Sequence, residues 1–432
     1  MMRLIRLALV FVMALTLAAC SGKEDSSNIP SAAKSNDELS GEKVTLDMWL
    51  FTGTGMEPFI EQYQKDHPNI KVNIQRQEYA DHHNGLMTAL AAGGGVPDVA
   101  VVEISYIDKF KSDPSKFNNL ADMGAKDFIG NFLDWKLVQA SSQDGQFIYG
   151  IPTDIGPMAI MFRTDLFQQA GLPTTTEEVS ALLPSWEKYL EIGKTIKSKT
   201  GKPMTYAAEA LFFVIRGQGK LQYFDDKGNL IADTNPDIKR AWDISVKAAQ
   251  EGLTAEISAW TPEWGAGMNN GDFATVLAPA WMMGFMKANA PDSSGKWNIA
   301  LMPEGSGNWG GSFLTIPKES KHPKEAYDLI KYLTSPETQL ELFKKNGNFP
   351  STPDIYSDPA IVNFKDTFYG DAEIGKIYAE AAKKVLPVYY GPDYDKVNAA
   401  LIQALWNVEK NGVNPEETFR KGIETAKRDL GH

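Results

Sequence analysis

The 432-residue sequence predicts an α/β protein of two interleaved lobes. Three observations carry that prediction. Strand and helix patterns alternate from residue 44 almost to the end of the chain; single strand patterns return late, at 274–277, 297–302 and 313–317; and no Pro/Gly-rich linker divides the chain after residue 43. Strands that return after long helical stretches point to lobes built from separate pieces of chain rather than beads on a string.

Val44, Leu46, Met48 and Leu50 alternate as in a strand, and Met56, Phe59, Ile60 and Tyr63 then have helical spacing that must stop before Pro68. Ile70, Val72 and Ile74 predict a second strand. A helix follows over 80–92, ended by the glycines at 93–95, and 98–104 predicts a buried strand. Strand, helix, strand, helix, strand predicts a parallel sheet. After short extended runs broken by Pro152 and Pro157, a brief helix ends at Gly171. Thr174 with Glu177 and Thr175 with Glu178 form overlapping capping boxes, and Ser185 is the expected N-cap of a longer helix that buries Tyr189, Leu190, Gly193 and Ile196 and stops at Gly201. Asn235-Pro236 opens another, with Trp242, Val246 and Ala249 inward.

The first residues form a separate unit. Arg3 and Arg6 precede an apolar run over 7–19 that is too short to span a bilayer, which is the order of an export signal. Leu17-Ala18-Ala19-Cys20 looks like the lipobox of bacterial lipoproteins, which implies cleavage before Cys20 and its acylation. Residues 20–42 then predict a disordered tether on the outer face of a membrane, in the manner of a Gram-positive cell surface, or in a periplasm if the cell is Gram-negative.

Composition narrows the chemistry. With 43 Lys and Arg against 55 Asp and Glu, the net charge of −12 argues against nucleic acid. One cysteine excludes an intramolecular disulfide and a cysteine-rich metal site, and no cofactor is expected. The GSGNWG at 305–310 has a dinucleotide-type glycine spacing but precedes a strand and opens no helix. There is no GxxxxGK[ST], GxSxG or HExxH, and His82-His83 are not spaced to put both rings on one helix face. Asp233, Asn235 and Asp237 begin like a calcium loop, but Ile238 stands where glycine is needed, so a capping turn is expected. Paired carboxylates remain open in so acidic a chain, which keeps a surface glycan hydrolase or lyase as one alternative, the other being a binding protein of the same fold for a non-sugar ligand such as a peptide, polyamine or metal chelate.

Several segments in fixed order resemble the family 1 extracellular solute-binding proteins, the maltose-binding-protein-like receptors of bacterial ABC importers. They are HPNIKV at 67–72, AAGGGVPDVAVVE at 91–103, YGIPTDIGPMAIMFRTDLFQQAGLP at 149–173, SWEKYLEIGK at 185–194, GDFATVLAPAW at 271–281 and GGSFLTIPKESKHPKEAYDLIKYL at 310–333. Arg163-Thr164 and Ala278-Pro279-Ala280 depart from the usual family pattern. The resemblance implies a periplasmic-binding-protein-like fold: one lobe over 43–155 plus 315–360, the other over 156–314 plus 361–432, a hinge, and a cleft that closes on an oligosaccharide presented to an ABC permease by a monomer, with no bond broken.

Sugar recognition needs flat apolar faces and hydroxyl-binding polar groups. The resemblance places Trp281 as a stacking residue, with Trp309 beside Gly310 and Gly311 as a second platform. Trp264 and Trp260 lie in a Gly/Pro-punctuated stretch expected to be a loop, which favours exposure of one of them, whereas Trp186 and Trp242 are expected in the core. In the first lobe Trp49, Phe51 and Thr52, then Glu103 and Ser105, lie at strand ends where open α/β sheets bind ligands. Asp154, Glu209 and, in YYGP, Tyr390 stand where family members contact sugar. His83 with Asp81 in EYADHHNG resembles a branch tied to plant-derived oligosaccharides such as arabino-oligosaccharides. The competing roles are core packing for the aromatic residues, a solvated strand-end charge for Glu103 and helix capping for Asp154 and Glu209.

Overall fold

A computed structural model describes residues 42–370 and 372–431. The export signal, Cys20 and nearly all of the tether lie outside the described residues. No helix among the described residues is long and apolar enough to cross a membrane.

β1 (Val44–Phe51), β2 (Ile70–Gln77) and β3 (Val99–Glu103) are joined through α1 (Glu57–Asp66) and α2 (Tyr79–Ala92), and β1 pairs in parallel with both its neighbours. Gly93 ends α2 at φ 67°, a left-handed position that favours glycine. α3 (Ile104–Phe110) and α4 (Asp134–Gln139) precede β4 (Gly150–Pro152). The chain then leaves this sheet for β5 (Met158–Arg163) and the helices α5 (Thr164–Gln169), α6 (Thr176–Leu182), α7 (Trp186–Thr200), α8 (Ala208–Gly217), α9 (Pro236–Gln250) and α10 (Pro262–Asn270). β6 (Thr275–Pro279), α11 (Met282–Asn289) and β7 (Trp297–Ala300) complete the excursion, and β8 (Ser312–Thr315) returns to the first sheet. α12 (Pro323–Leu333) and α13 (Pro336–Asn346) follow β8, and α14 (Pro359–Val362), α15 (Ile374–Ala382), α16 (Tyr394–Asn411) and α17 (Pro415–Leu430) end the chain.

The first sheet runs β2-β1-β3-β8-β4 and the second β6-β5-β7. The expected parallel sheet therefore holds for β1 to β3 only. β8 is antiparallel to β3 and β4, and every pairing in the second sheet is antiparallel. β8 also starts at Ser312, so residues 312–314, expected in the second lobe, belong to the first sheet.

Each sheet is covered on both faces. Val99 and Val101 of β3 pack with Leu46, Met48, Leu50 and α12, while Ala100 and Val102 face α2. In β5, Ile160 and Phe162 turn to the α7–α9 layer, and Ala159 and Met161 to α10, α11 and α15. Trp186 and Trp242 are fully buried there. Ser185 caps α7 and Asn235 caps α9 as the sequence predicts; of the overlapping boxes, Thr175 is the cap, its Oγ1 accepting from Glu178 N at 3.3 Å.

Three chain segments cross between the lobes side by side. Ile155 N donates to Phe349 O at 2.8 Å, and Gly156 N donates to Asn308 Oδ1 at 2.8 Å. Trp309 N returns a bond to Gly156 O at 2.7 Å. The fit is tight at Gly156, where a Cβ would lie 1.7 Å from Trp309 O. This ribbon is the hinge.

Candidate functional site

Around the hinge the first lobe presents a buried polar and aromatic wall. Glu103, last in β3, caps α3: its Oε2 accepts from Ser105 N at 2.7 Å and from the Tyr79 hydroxyl at 2.8 Å. Burial raises the Glu103 carboxyl above its ordinary range, opposed by those donors and by the charge on Lys136. Its main-chain N–H donates to His83 Nε2 at 3.1 Å, while His83 Nδ1 lies 2.7 Å from Tyr79 O. With one nitrogen accepting, the other must carry the proton, so this imidazole is neutral and fixed in one tautomer. Burial pushes its pKa down to about 3. The His83 ring stacks on Tyr106 at 4.1 Å and 7°, and Phe51 packs edge-on against Tyr79 at 5.5 Å.

The second lobe presents indoles. Trp281, at the start of α11, donates from Nε1 to Trp309 O at 2.9 Å. Trp260 stacks against Trp281 at 6.1 Å and 12° and meets Trp309 edge-on at 6.0 Å. Trp260 is 51% exposed, and its backbone stands at φ 65°, a left-handed conformation that is strained for a bulky side chain.

Gly310 joins the two walls. A Cβ there would lie 3.1 Å from Trp281 Nε1 and 3.9 Å from Glu103 Oε1. Only glycine, at φ 88°, lets the hinge pass between a first-lobe carboxylate and a second-lobe indole. Gly311 is equally confined, with Asp154 O 2.5 Å and Lys136 Nζ 2.9 Å from where its Cβ would stand.

The structure thus brings together Phe51, His83, Glu103, Ser105, Trp281, Trp309, Gly310 and Gly311. Tyr390 is buried edge-on to Tyr394 at 4.8 Å. Burial, then the charges of Tyr394 and Glu103, raise its hydroxyl, which puts it beside the Glu103 wall.

The remaining candidates lie apart from this group or turn to other partners, and the expectation for Trp264 is corrected. Trp264 is not on a loop: it lies on α10, capped by Thr261, and is fully buried. The glycines that suggested a loop serve close packing, since a Cβ at Gly267 would come within 2.8 Å of Phe273 Cε1. Trp260 is the exposed member of the pair. Trp49 lies within β1 beside Gln75 of β2, on the wall of a separate cavity of about 610 Å³ lined also by Asp47, Asn73 and Lys321, and makes none of the contacts of the Glu103 wall. Thr52 is exposed and bonded to Glu78 at 3.0 Å, and Asp81 is exposed on the first turn of α2. Both oxygens of Glu209 are engaged within the second lobe, by Trp406 Nε1 at 2.8 Å and by Ala259 N at 3.4 Å, so this residue braces the segment that carries Trp260. Asp154 braces the hinge, accepting from Thr153, from Ser312 N at 3.0 Å and from Asn348 at 3.1 Å. The two adjacent histidines both turn to β3, His82 to Val101 O at 2.7 Å and His83 to Glu103 N, against the expectation from their spacing.

Tyr79, Tyr106 and Lys136 were not legible as site residues. Tyr79 and Tyr106 flank His83 and Glu103 one turn away, a signal that strand-end reasoning could have followed. Lys136, a lone cation in a short helix, reads as a surface lysine.

A profile of bacterial extracellular solute-binding proteins matches residues 59–367. The chain belongs to that family. It is 26% identical over 413 residues to an arabinooligosaccharide-binding protein of Bacillus subtilis, covering 91% of this chain and 90% of that one. It is 28% identical over 382 residues to a lactose-binding protein of Rhizobium radiobacter, covering 83% and 86%. A crystal structure of an extracellular solute-binding protein of family 1 superposes with a TM-score of 0.83 at 35% identity, covering 89% of this chain and 99% of that one.

Proposed function

We propose that this solute-binding protein is an oligosaccharide receptor that delivers its ligand to an ABC permease and catalyses nothing. The observation that carries the reading is the meeting of Glu103 Oε1 and the Trp260, Trp281, Trp309 cluster at Gly310. Indole faces cover the C–H side of a sugar ring, and a carboxylate oxygen free of main-chain donors accepts from its hydroxyls. Ligand that touches both walls favours the closed arrangement by its differential affinity, and the hinge ribbon turns that into lobe closure. The names of the two curated relatives support a short neutral oligosaccharide, and the His83 region fits the arabino-oligosaccharide branch.

The hydrolase alternative needs a second carboxylate free to act. Asp154, the acid across the hinge from Glu103, has both oxygens committed to donors, and His83 has both nitrogens engaged. A lipid anchor at Cys20, a tether over 20–42, action as a monomer and a place on the outer membrane face complete the proposal.

The test is calorimetric titration with arabinotriose, lactose and maltotriose, each mixture then being chromatographed. Saturable binding with the sugar recovered intact is the expected result. Breakdown of the sugar moves the assignment to the hydrolase, and absence of binding across a wider saccharide panel overturns the sugar reading.

A further inference from the structure

One buried cation lies beneath the hinge. Lys136 on α4 is fully buried, and its Nζ has no hydrogen-bond partner. The ammonium lies 4.2 Å over the Phe313 ring and against Gly311 of the hinge. Burial disfavours this ammonium and pulls it below the ordinary lysine range, a fall that its neighbours oppose. Those neighbours are the carboxylates of Asp154 and Glu103, which act on it through space rather than in ion-pair contact. Asp154 is already supplied with hydrogen-bond donors, whereas Glu103 takes the Tyr79 hydroxyl and Ser105 N on Oε2 and no main-chain donor on Oε1.

We propose that Lys136 is a positioning residue of the cleft: from beneath the hinge its ammonium keeps Glu103 ionised, with Oε1 an acceptor for the hydroxyls of a neutral sugar. The inference rests on the receptor reading for its ligand half. One ammonium against two carboxylates leaves a local charge of about minus one, which disfavours an anionic sugar. The groups facing Glu103 are Tyr79 and His83 of α2, Tyr106 of α3, Tyr390 and Tyr394 near the C-terminus, and Lys136 of α4. All four tyrosines are pushed up and His83 is pushed down, so the Glu103 carboxylate and the Lys136 ammonium govern the profile.

The sign follows from burial. It raises Glu103, and the ammonium opposes the rise. Without the ammonium the carboxylate protonates at higher pH, and affinity, present above that pH and lost below it, fails earlier as pH falls. The experiment is a carbon NMR titration of the Glu103 carboxyl, assigned with E103Q, in the whole chain carrying Lys136, K136M or K136R, with lactose and arabinotriose affinity measured over the same pH range. The expected result is a Glu103 midpoint at least about one pH unit higher in K136M, a near-normal midpoint in K136R, and an acid limb of affinity that moves with it. Should K136M fail to fold, K136Q supplies the same comparison. An unchanged Glu103 midpoint in the uncharged variant overturns the inference, even where sugar binds. A shifted midpoint in a protein that binds no saccharide of the wider panel overturns the receptor reading and, with it, the assignment of Oε1 to ligand.

Discussion

Trp260 and Trp264 stand four residues apart and do opposite things. Trp260 holds an exposed indole on a left-handed backbone, and Trp264 fills the core beneath Phe285 at 5.3 Å. Strain at φ 65° persists because the surrounding structure fixes it, here with Glu209 on Ala259 N and Thr261 capping α10. Trp260→Gly relieves the left-handed backbone but forfeits the indole's contacts with Trp264, Trp281, Phe285 and Trp309, so it is expected to change stability by less than about 2 kcal/mol while weakening sugar binding tenfold or more. Trp264→Ala is expected to cost about 3–5 kcal/mol of stability. Thermal unfolding beside calorimetric titration separates the two; a Trp260→Gly protein that binds normally removes that indole from the site. Composition placed an exposed tryptophan in this stretch but not which one, because side-chain direction depends on a helix whose glycines resemble loop punctuation. Glu103 was a candidate because chain order placed it at a strand end, and Trp281 and Trp309 were candidates because the family resemblance placed them as stacking platforms. Lys136 was not, since burial of its ammonium depends on β8 arriving from residues 312–315.

Among the elements, most strands and helices follow from local pattern, with caps at Ser185 and Asn235 where predicted. Pairing direction did not, because β8 reaches β3 from more than 200 residues away and no local signal fixes its sense. The hinge shows the same limit: three segments distant in sequence lock only if Gly156 carries no side chain. Gly156→Ala, with its Cβ 1.7 Å from Trp309 O, is expected to cost at least about 3 kcal/mol, whereas Gly94→Ala, which meets nothing within 4 Å, is expected to be near neutral. Equal unfolding temperatures for the two variants would dismiss the hinge as a steric lock.

Helix α8 is held at its start by α16, where Glu409 Oε1 accepts from Ala208 N at 3.0 Å. Burial raises the Glu409 carboxyl to about 7, although its hydrogen bonds oppose the rise. The folded pKa lies above the unfolded one, so the stability it contributes is full below the unfolded pKa and lost as pH rises through about 7. Glu409→Gln keeps the acceptor and removes the charge. It is expected to be more stable than the parent by about 1–3 kcal/mol at about pH 8 and nearly equal at about pH 5, measured by urea unfolding. The opposite ordering would mean that the carboxylate is favoured in the fold.

At the scale of the whole molecule, interleaving is what makes a receptor of two lobes. The first sheet takes in β8 only after the chain has built the second, so the lobes are tied by several crossings rather than by one linker. This topology was legible in the absence of a linker and the late return of strand pattern, and the ordered segments from HPNIKV to GGSFLTIPKES pointed to the family that the profile and the superposition then supply. An intact saccharide is expected to close the two lobes about the ribbon at 154–157, 306–310 and 348–350. Small-angle X-ray scattering on the whole chain, with and without a saturating sugar identified by titration, tests it most directly. A smaller radius of gyration is expected with sugar, and no such change in a Glu103→Gln, Trp281→Ala variant that binds none. Saturable binding with an unchanged radius of gyration would contradict it.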